Sequence, residues 1–414
     1  MPADPEAPEP GREPFRLGIN YWPSRTAMGW WQDFDAAETA RDLELMAGRG
    51  FDSVRLFLTW DVFQPAPDRV DTAMLGRLVT VADLAERAGI VLMPTLFTGH
   101  MSGLNLIPDW ALGGSDRDPR FRVLAGGRLS GEPLRNWYTD PVVRGAQAGL
   151  AGQAAAALAG HPALWAWDLG NENSNCVRPP DRSAARDWLK RMSAAIRSAD
   201  PTARVTIGLH MEDLEEDRQL GPAEAAAECD FLTMHGYPIY ASWANGPTDE
   251  HLLPFLAHLT AWLGNGADVL FAEFGAPTYR AADPHQEPAR REDAVALLEE
   301  QVAADYTRRA LAALRAAGCL GAMLWCFADY APSTWHIPPL DEAGHERSFG
   351  LWRSDGSAKP AVDVVEAFAG APRQGDLRDH DWIDIESDEY YRSPGEHIRR
   401  LYRRYREGST TTLR

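Results

Sequence analysis

Short apolar runs alternate along the chain with longer segments in which apolar residues recur at helical spacing. Val91–Phe97 is nearly continuous in apolar residues, which is typical of a strand buried on both faces of a parallel sheet. In a segment after the first run, Ala36, Ala40, Leu43 and Met46 share one face of a predicted helix. Eight apolar runs are present, and they cover Arg16–Trp22, Ser53–Leu58, Val91–Phe97, Ala163–Glu172, Arg204–Leu209, Phe231–Pro238, Val269–Gly275 and Gly321–Asp329.

Eight strand-like runs with helix-like segments between them predict an α/β protein, a (β/α)8 TIM barrel. The barrel is expected to occupy residues 15–370, after a disordered lead-in at residues 1–14. The two longest insertions, His100–Asp140 and Tyr330–Lys359, follow strands three and eight. Both are expected at the carboxyl-terminal rim of the barrel, where the active sites of such barrels lie.

Residues 371–414 are predicted to form a charged C-terminal extension. Ala371–Tyr390 contains seven acidic and two basic residues, whereas Tyr391–Arg414 contains seven basic and two acidic residues. The favoured interpretation is a solvated tail whose basic helix packs on the barrel through Ile398, Leu401 and Tyr405, because charged runs usually face solvent. The alternative is a helix that binds a partner or a membrane surface.

The charge balance and the N-terminal residues limit the classes of function. The chain has 41 basic and 60 acidic residues, a formal net charge of −19, which disfavours nucleic acid as a partner because phosphate binding needs a basic surface. The first residues are acidic and proline-rich, so no secretion signal is predicted and a cytoplasmic location is expected. The four cysteines lack the spacing of a metal site, and they are Cys176, Cys229, Cys319 and Cys326.

One uncharged stretch, Gly145–Trp167, has 23 residues and is long enough to cross a bilayer. Its many alanines and glycines, with Gln147 and His161 among them, favour a helix on the barrel core instead. Pro162 is predicted to end that helix before a buried strand begins. No membrane association is therefore expected.

Two glutamates stand at the ends of predicted strands. Glu172 ends strand four and Glu273 ends strand seven. Carboxylates are almost never buried without a partner, and a structural ion pair is a sufficient explanation for either one alone. Strands four and seven lie almost opposite each other in a barrel, so the two side chains are expected to face each other across its axis. Paired carboxylates suit cleavage of a glycosidic bond, in which one protonates the leaving oxygen and the other attacks the sugar carbon.

Other polar and aromatic residues near the strand ends match this chemistry. Arg55 is expected to keep a carboxylate ionised, with a rim ion pair as the alternative, and Tyr237 is expected to donate its hydroxyl to the same group. Asn171 is placed to bind a sugar 2-hydroxyl, and Trp325 offers a flat face to a sugar ring, although such tryptophans are often core residues. The remaining candidate contacts are His100 and His235, Tyr21 and Trp22 after strand one, and Trp110, Trp137, Trp335 and His336 in the long insertions.

Four motifs at these strand ends are LGNEN at 169–173, MHGYP at 234–238, FAEFG at 271–275 and MLWCF at 323–327. Together they resemble glycoside hydrolase clan A, and most closely glycoside hydrolase family 5. The resemblance implies a (β/α)8 barrel that acts with retention, with Glu172 as the acid/base and Glu273 as the nucleophile. The positions that match the functional residues of the family are Arg55, His100, Asn171, Glu172, His235, Tyr237, Glu273 and Trp325.

Retention by double displacement makes specific demands on the two glutamates. Glu172 is expected to be protonated at rest and Glu273 ionised, with about 5–5.5 Å between their carboxyl groups. No metal or other cofactor is expected, since HExxH is absent from the sequence. The expected substrate is a β-linked oligosaccharide, and the resemblance favours a β-mannoside.

Several alternatives stay open at this point. The same fold and mechanism also serve a β-1,4-glucanase or a β-glucosidase. A non-catalytic sugar-binding barrel and a metal-dependent barrel hydrolase are the alternatives from other classes. A serine hydrolase is disfavoured because no G-x-S-x-G motif is present, and nucleotide binding is disfavoured because neither a P-loop nor G-x-G-x-x-G occurs.

Overall fold

The computed structural model describes residues 13–116, 118, 120–281 and 295–411, so most of the predicted lead-in lies outside the described residues. Eight parallel strands form one sheet, and they are β1 Arg16–Tyr21, β2 Ser53–Phe57, β3 Val91–Thr95, β4 Trp167–Asn171, β5 Val205–Gly208, β6 Leu232–His235, β7 Val269–Phe274 and β8 Gly321–Leu324. Neighbouring strands follow chain order around the sheet. β5 meets β6 through a bridge between His210 and His235, which closes the barrel.

Each barrel strand is followed by a helix, so the predicted (β/α)8 barrel is confirmed. The helices are α1 Ala36–Ala47, α2 Thr72–Ala88, α3 Pro141–Ala157, α4 Arg182–Ala199, α5 Pro222–Glu228, α6 Leu252–Leu263, α7 Glu300–Ala317 and α8 Pro360–Glu366. Aspartate side chains accept backbone N–H groups at the start of α1 to α4, which satisfies donors that a helix leaves unpaired. These four caps are Asp35, Asp71, Asp140 and Asp181.

Smaller elements fill the connections. Short strands cover His100–Met101, Leu104–Leu106, Leu112–Asp116, Arg122–Ala125, Arg128–Ser130, Thr278–Tyr279 and Leu298–Glu299. Short helical turns cover Ala27–Gly29, Trp60–Phe63, Asp109–Ala111, Asn173–Asn175, Glu212–Glu215, Pro332–Thr334, Gly344–Ser348 and Ser387–Tyr390. Four of the short strands form a small sheet in the insertion after β3.

The insertions after β3 and β8 meet above the barrel. Arg122, in the insertion after β3, donates to both carboxylate oxygens of Asp341 at 2.9 and 2.7 Å. The Ser102 hydroxyl donates to Glu346 at 3.0 Å. The two insertions that the sequence places at the carboxyl-terminal rim therefore form one continuous wall.

The uncharged stretch Gly145–Trp167 lies within the barrel layers. It begins inside α3, which ends at Ala157, and it reaches the start of β4. Val143, Leu150 and Ala154 of α3 are buried. Among the described residues, none of the helices combines the length and the apolar character that a membrane span requires.

The C-terminal extension packs on the barrel through a ninth long helix, α9, Pro394–Thr411. Ile398 and Leu401 are buried and Tyr405 is half-buried, which confirms the inward face predicted for this helix. The Tyr402 hydroxyl donates to Asp249 at 2.5 Å, and Arg406 donates to the other oxygen of the same carboxylate at 2.8 Å. Burial of this face makes α9 part of the hydrophobic core, although the division at residue 370 stays a prediction.

Leu401→Ala is expected to lower the free energy of unfolding by about 2–5 kcal/mol, because a buried leucine is replaced by a cavity. Urea denaturation followed by circular dichroism measures the change. Arg403→Ala, on the exposed face of the same helix, is the control and is expected to change that free energy by less than about 0.5 kcal/mol. Equal stability of the Leu401 variant and the parent would show that α9 does not contribute to the core.

Candidate active site

A pocket of about 510 Å³ lies at the carboxyl-terminal end of the barrel. Glu172, directly after β4, and Glu273, in β7, both line it. One carboxylate oxygen of each glutamate and one ring nitrogen of His235 lie within 4.8 Å of one another. Retention needs carboxyl groups about 5–5.5 Å apart, whereas inversion needs about 6.5–9.5 Å. The short separation in this pocket suits retention.

Glu273 is approached by donors from three sides. Arg55 Nη1 donates to Oε1, and the Tyr237 hydroxyl donates to Oε2 at 2.9 Å. His235 Nδ1 lies 3.5 Å from Oε1. Burial raises the pKa of Glu273 above its usual value, while the charges of His235 and Arg55 and the Tyr237 hydrogen bond act in the opposite direction. His235, Arg55 and Tyr237 therefore favour an ionised, nucleophilic Glu273 against the effect of burial.

Arg55 lies beneath the pocket and connects several strands. Nε and Nη2 donate to Asp168 at 2.9 and 2.7 Å, and Nη2 also donates to Asn171 at 2.9 Å. Nη1 donates to Asn20 at 3.2 Å in addition to Glu273. Arg55 is fully buried and does not line the pocket, so its prediction as a substrate-binding residue is wrong. It acts on substrate only through the groups that it positions.

Glu172 combines an unusual backbone with a crowded carboxyl group. Its φ of 49° lies in the left-handed region, which non-glycine residues seldom adopt. His235 Nδ1 lies 3.0 Å from Oε1, and the Asn175 amide donates to Oε2 at 3.1 Å. His210 Nδ1 and His100 Nε2 lie 3.8 and 4.0 Å from Oε2. Three histidines therefore surround one carboxyl group.

The histidines change the expected charge of Glu172. Burial alone would raise the pKa of this carboxyl, yet the positive charges of His210, His235 and His100 hold it below its usual value. The direction of this shift favours the ionised form of Glu172, whereas the sequence predicts a protonated one, and that resting state stays a prediction. A carboxylate beside an imidazolium holds the same number of protons as a carboxylic acid beside a neutral imidazole. The cluster as a whole can still supply a proton.

Asn171, His100 and Trp325 also line the pocket. The Asn171 side chain accepts from Arg55 and donates to the His100 carbonyl at 2.6 Å, so its orientation is fixed. His100 Nδ1 pairs with Asn105 Oδ1 at 2.8 Å, and burial lowers the pKa of His100. The Trp325 indole N–H donates to Glu346 at 3.3 Å. Together with His235 and Tyr237, these residues place five of the predicted substrate contacts around one cavity.

Comparison with known families identifies the class of enzyme. Residues 14–318 match the family described as Cellulase (glycosyl hydrolase family 5). The chain belongs to glycoside hydrolase family 5. The resemblance drawn from the strand-end motifs is thereby confirmed. Family 5 acts with retention, which agrees with the short separation between Glu172 and Glu273.

Individual relatives of this family 5 protein include mannosidases. A stretch of 222 residues is 28% identical to the probable mannan endo-1,4-beta-mannosidase F of Emericella nidulans, and covers 50% of this chain and 46% of that protein. The exo-beta-1,4-mannosidase Op5Man5 from Opitutaceae bacterium strain TAV5 is 28% identical, with a TM-score of 0.68 over 86% of this chain and 59% of that one. The chain thus spans about half and about three-fifths of the lengths of these two relatives.

A third relative supports the fold alone. The structure of GH5_18 from Streptomyces cattleya in complex with GlcNAc is 23% identical to this family 5 protein. The two share a TM-score of 0.75, over 96% of this chain and 92% of that one. The agreement extends beyond the matched family region, to most of the C-terminal part of the chain.

Several predicted aromatic contacts of the family 5 protein lie outside the pocket. Tyr21 and Trp22 are buried, and the Tyr21 hydroxyl donates to Asp42 at 2.8 Å. Trp137 is also buried, and Trp110 packs against Trp60 with ring centroids 5.3 Å apart. Tyr21, Trp22 and Trp137 belong to the core and the half-buried Trp110 packs against it, because a large aromatic ring stabilises the fold most when it is packed. Their prediction as sugar contacts is wrong.

The loop tryptophan Trp335 is exposed but does not line the pocket. Its indole N–H donates to the Tyr330 carbonyl at 2.9 Å, and Arg347 lies over its ring at 4.9 Å from the centroid. The neighbouring His336 is likewise absent from the pocket wall.

Several residues that shape the site were not predicted from the sequence. Asp168 accepts from Arg55, Thr95 and Gly208, and it is the main anchor of the arginine. Its signal is a lone acidic residue inside the apolar run of β4. His210 follows β5 in the same way that His235 ends β6. Its position after an apolar run could therefore have indicated a site residue. The pocket also includes Asn175, Glu212, Tyr240 and Glu346.

The group Glu172, His235 and Glu273 has a spacing compatible with metal ligands, but the charge beside it opposes a cation. The buried guanidinium of Arg55 donates to Glu273 Oε1, so a positive charge already occupies one side of this carboxylate. A divalent ion beside it would be repelled, because like charges at close range are costly in a buried site. The donor set suits acid–base chemistry better than metal binding.

Proposed function

We propose that the protein is an exo-acting β-mannosidase in which Glu172 is the acid/base and Glu273 is the nucleophile. The observation that carries the proposal is the convergence of the two carboxylates, within 4.8 Å, in one pocket that a ligand can enter. Their surroundings differ in the way that the two roles require. Glu273 contacts Arg55 and Tyr237, while Glu172 lies among histidines, the side chains that exchange protons most readily near neutral pH.

In the first step, Glu273 attacks the anomeric carbon and forms a glycosyl ester, while the bond from that carbon to the leaving oxygen breaks. Glu172 gives a proton to the departing oxygen. Arg55 and the Tyr237 hydroxyl hold Glu273 in place until its negative charge passes into the new bond. Asn171, which lines the same pocket, binds the sugar 2-hydroxyl, a contact that strengthens in the transition state.

In the second step, water attacks the same carbon and the ester bond to Glu273 breaks. Glu172 takes the proton of that water, so the enzyme returns to its starting protonation. Two inversions at one carbon give net retention, in agreement with the family. The histidines around Glu172 stabilise its carboxylate between the two steps, when it has given up its proton.

Exo action is supported by the wall that the two insertions form. Arg122 bonds to Asp341 across this wall, and Ser102 bonds to Glu346 beside the pocket. A polysaccharide that runs through an endo-acting cleft needs both ends of that cleft open. A wall on one side favours a pocket that takes the non-reducing end of a short chain.

The choice of a β-mannoside rests on the relatives. A mannan endo-mannosidase and an exo-β-1,4-mannosidase are each 28% identical to matched parts of the chain. Solved structures of more distant GH5_18 proteins include complexes with GlcNAc and with Manb1-4GlcNAc, which adds that disaccharide to the candidate substrates. A β-glucosidase on the same fold is the second candidate. A non-catalytic role is disfavoured because both carboxylates line the pocket.

The substrate test compares 4-nitrophenyl β-mannoside, β-glucoside and β-galactoside, followed by β-1,4-mannotriose and Manβ1-4GlcNAc. We expect kcat/KM for the mannoside to exceed the others by about a hundredfold, because hydroxyls in a buried site are recognised by hydrogen bonds. Mannotriose is expected to release mannose and mannobiose first, and mannobiose is then cleaved in turn. Chromatography of early time points measures the products.

Three outcomes would contradict parts of this proposal. Preference for the β-glucoside would replace the mannosidase with a glucosidase. Internal cleavage of longer chains, with mannobiose left intact, would replace exo with endo action. Loss of activity in a chelator, restored by a divalent metal, would support the metal-dependent alternative.

A further inference from the structure

His210 contacts the acid/base region from a strand that the proposed mechanism does not otherwise use. It follows β5, lines the pocket and is almost completely buried, and its Nδ1 faces Glu172 Oε2 at 3.8 Å. On the other side of the ring, Nε2 lies 2.9 Å from the Ser174 hydroxyl oxygen. Ser174 in turn donates to Asp213 at 2.5 Å. The four groups form a row that begins at the buried carboxylate of Asp213, continues through Ser174 and His210, and ends at Glu172 in the pocket.

The hydrogen bonds around Nε2 of His210 are compatible with a proton on either ring nitrogen. Ser174 has one hydroxyl hydrogen, and the carboxylate of Asp213 takes it. The serine oxygen also accepts from Arg218 Nη1 at 3.1 Å, and it accepts from His210 when Nε2 carries a proton. Arg218 Nη1, 3.3 Å from Nε2, can donate to that nitrogen only when the proton is on Nδ1 instead. In either form Nδ1 faces Glu172 Oε2 at 3.8 Å, so a small approach of the two side chains lets them share one proton.

The carboxylate near Nε2, on the side of the His210 ring away from Glu172, favours the sharing of a proton with Glu172. Asp213 Oδ1 lies 3.6 Å from Nε2, and its second oxygen accepts from the His210 backbone N–H at 3.0 Å. Arg218 Nη1, 3.3 Å from Nε2, acts against a positive ring. Arg218 is itself paired with the carboxylates of Glu212 and Glu216, which offsets its charge.

The other two histidines near Glu172 lack such support. His100 bonds through Nδ1 to the neutral amide of Asn105, and burial lowers the pKa of His100. His235 Nε2 is buried and has no hydrogen-bond partner among the described residues, so a proton there would be unsatisfied. Of these three histidines, only His210 has a carboxylate from the described part of the chain on the side away from Glu172.

We propose that His210, backed by Ser174 and Asp213, is a positioning residue that shares the catalytic proton with Glu172. This inference rests on the proposed role of Glu172 as acid/base. When the glycosidic bond breaks, the His210–Glu172 pair gives one proton to the leaving oxygen and is then one proton short. When water attacks the glycosyl ester, the pair takes one proton from that water and is restored.

The test uses leaving groups that differ in their need for a proton. 2,4-Dinitrophenolate leaves from its glycoside without acid assistance. The sugar oxygen that leaves from a disaccharide needs a proton. We expect His210→Gln to lower kcat/KM on the disaccharide by about a hundredfold and on the 2,4-dinitrophenyl glycoside by less than about threefold. kcat/KM is the right quantity because it reports the first step only. Asp213→Asn, which keeps the shape of the side chain, is expected to give the same split with a smaller loss.

His258→Gln is the matched control, since His258 is also buried but bonds to the Leu377 carbonyl away from the pocket. It is expected to leave both rates unchanged. Equal loss on both substrates with His210→Gln and Asp213→Asn, or no loss on either, would overturn the inference. Glu172→Ala tests the proposed acid/base role of Glu172 separately from the role of His210. If that variant shows the split and the His210 variant does not, only the role of His210 fails; if Glu172→Ala shows no split, the proposed acid/base fails.

Discussion

Glu273→Gln is expected to lower kcat by about 10⁴-fold or more while substrate still binds. The amide has almost the same shape as the carboxylate, but its single carbonyl oxygen can accept from only one of Arg55 and Tyr237, and it cannot form the glycosyl ester. Steady-state kinetics on an aryl β-mannoside gives kcat, and calorimetry with mannobiose gives the dissociation constant. The parent is expected to accumulate a covalent adduct with a 2-deoxy-2-fluoro glycoside at Glu273, which mass spectrometry detects.

Glu44→Gln is the control for this substitution, because Glu44 lies on the exposed face of α1, far from the pocket. Its kinetics are expected to match the parent. A Glu273→Gln protein that kept more than about a hundredth of the parent kcat would place the nucleophile elsewhere, because a true nucleophile cannot be replaced by its amide. An adduct on another residue would lead to the same conclusion.

The apolar pattern was sufficient to predict the barrel and the place of its site. Continuous runs such as the one around Val91 mark strands buried on both faces, and parallel strands bring their carboxyl ends to one rim. Glu172 and Glu273 could therefore be placed opposite each other from the sequence alone. The boundaries were less certain, because the predicted run Ala163–Glu172 becomes a strand only from Trp167. Leu164, in the preceding residues, pairs with Leu92 only through an isolated bridge.

Side-chain packing could not be predicted in the same way. Trp22 and Trp137 are buried in the core, while Trp325 lines the pocket, although all three follow strands or lie in long insertions. A sequence reports that a ring is apolar but not which neighbours surround it. The row Asp213–Ser174–His210 joins residues that follow β4 and β5, and the pairing of these two strands brings them into contact. The direction of the pKa shift of Glu172 depends on the histidines beside it, and their positions could not be predicted from the sequence.

Arg55→Met is expected to lower the free energy of unfolding by about 3–5 kcal/mol, because it leaves the buried carboxylates of Asp168 and Glu273 without their cation. Activity should fall as well. Arg55 lowers the pKa of Glu273, so its removal raises that pKa and moves the acidic limb of the kcat/KM profile to higher pH. Chemical denaturation measures the stability, and the pH dependence of kcat/KM measures the shift.

Arg55→Lys keeps a positive charge and serves as the second variant if the methionine variant does not fold. A lysine cannot reproduce the fork that reaches Asp168, Glu273 and Asn171 at once, so it is expected to retain stability better than activity. Arg400→Met is the surface control, since Arg400 pairs with Asp384 in solvent and such pairs contribute about 0–1 kcal/mol. If Arg55→Met and Arg400→Met changed stability equally, and the acidic limb did not move, Arg55 would be neither the anchor of the buried carboxylates nor the group that keeps Glu273 ionised.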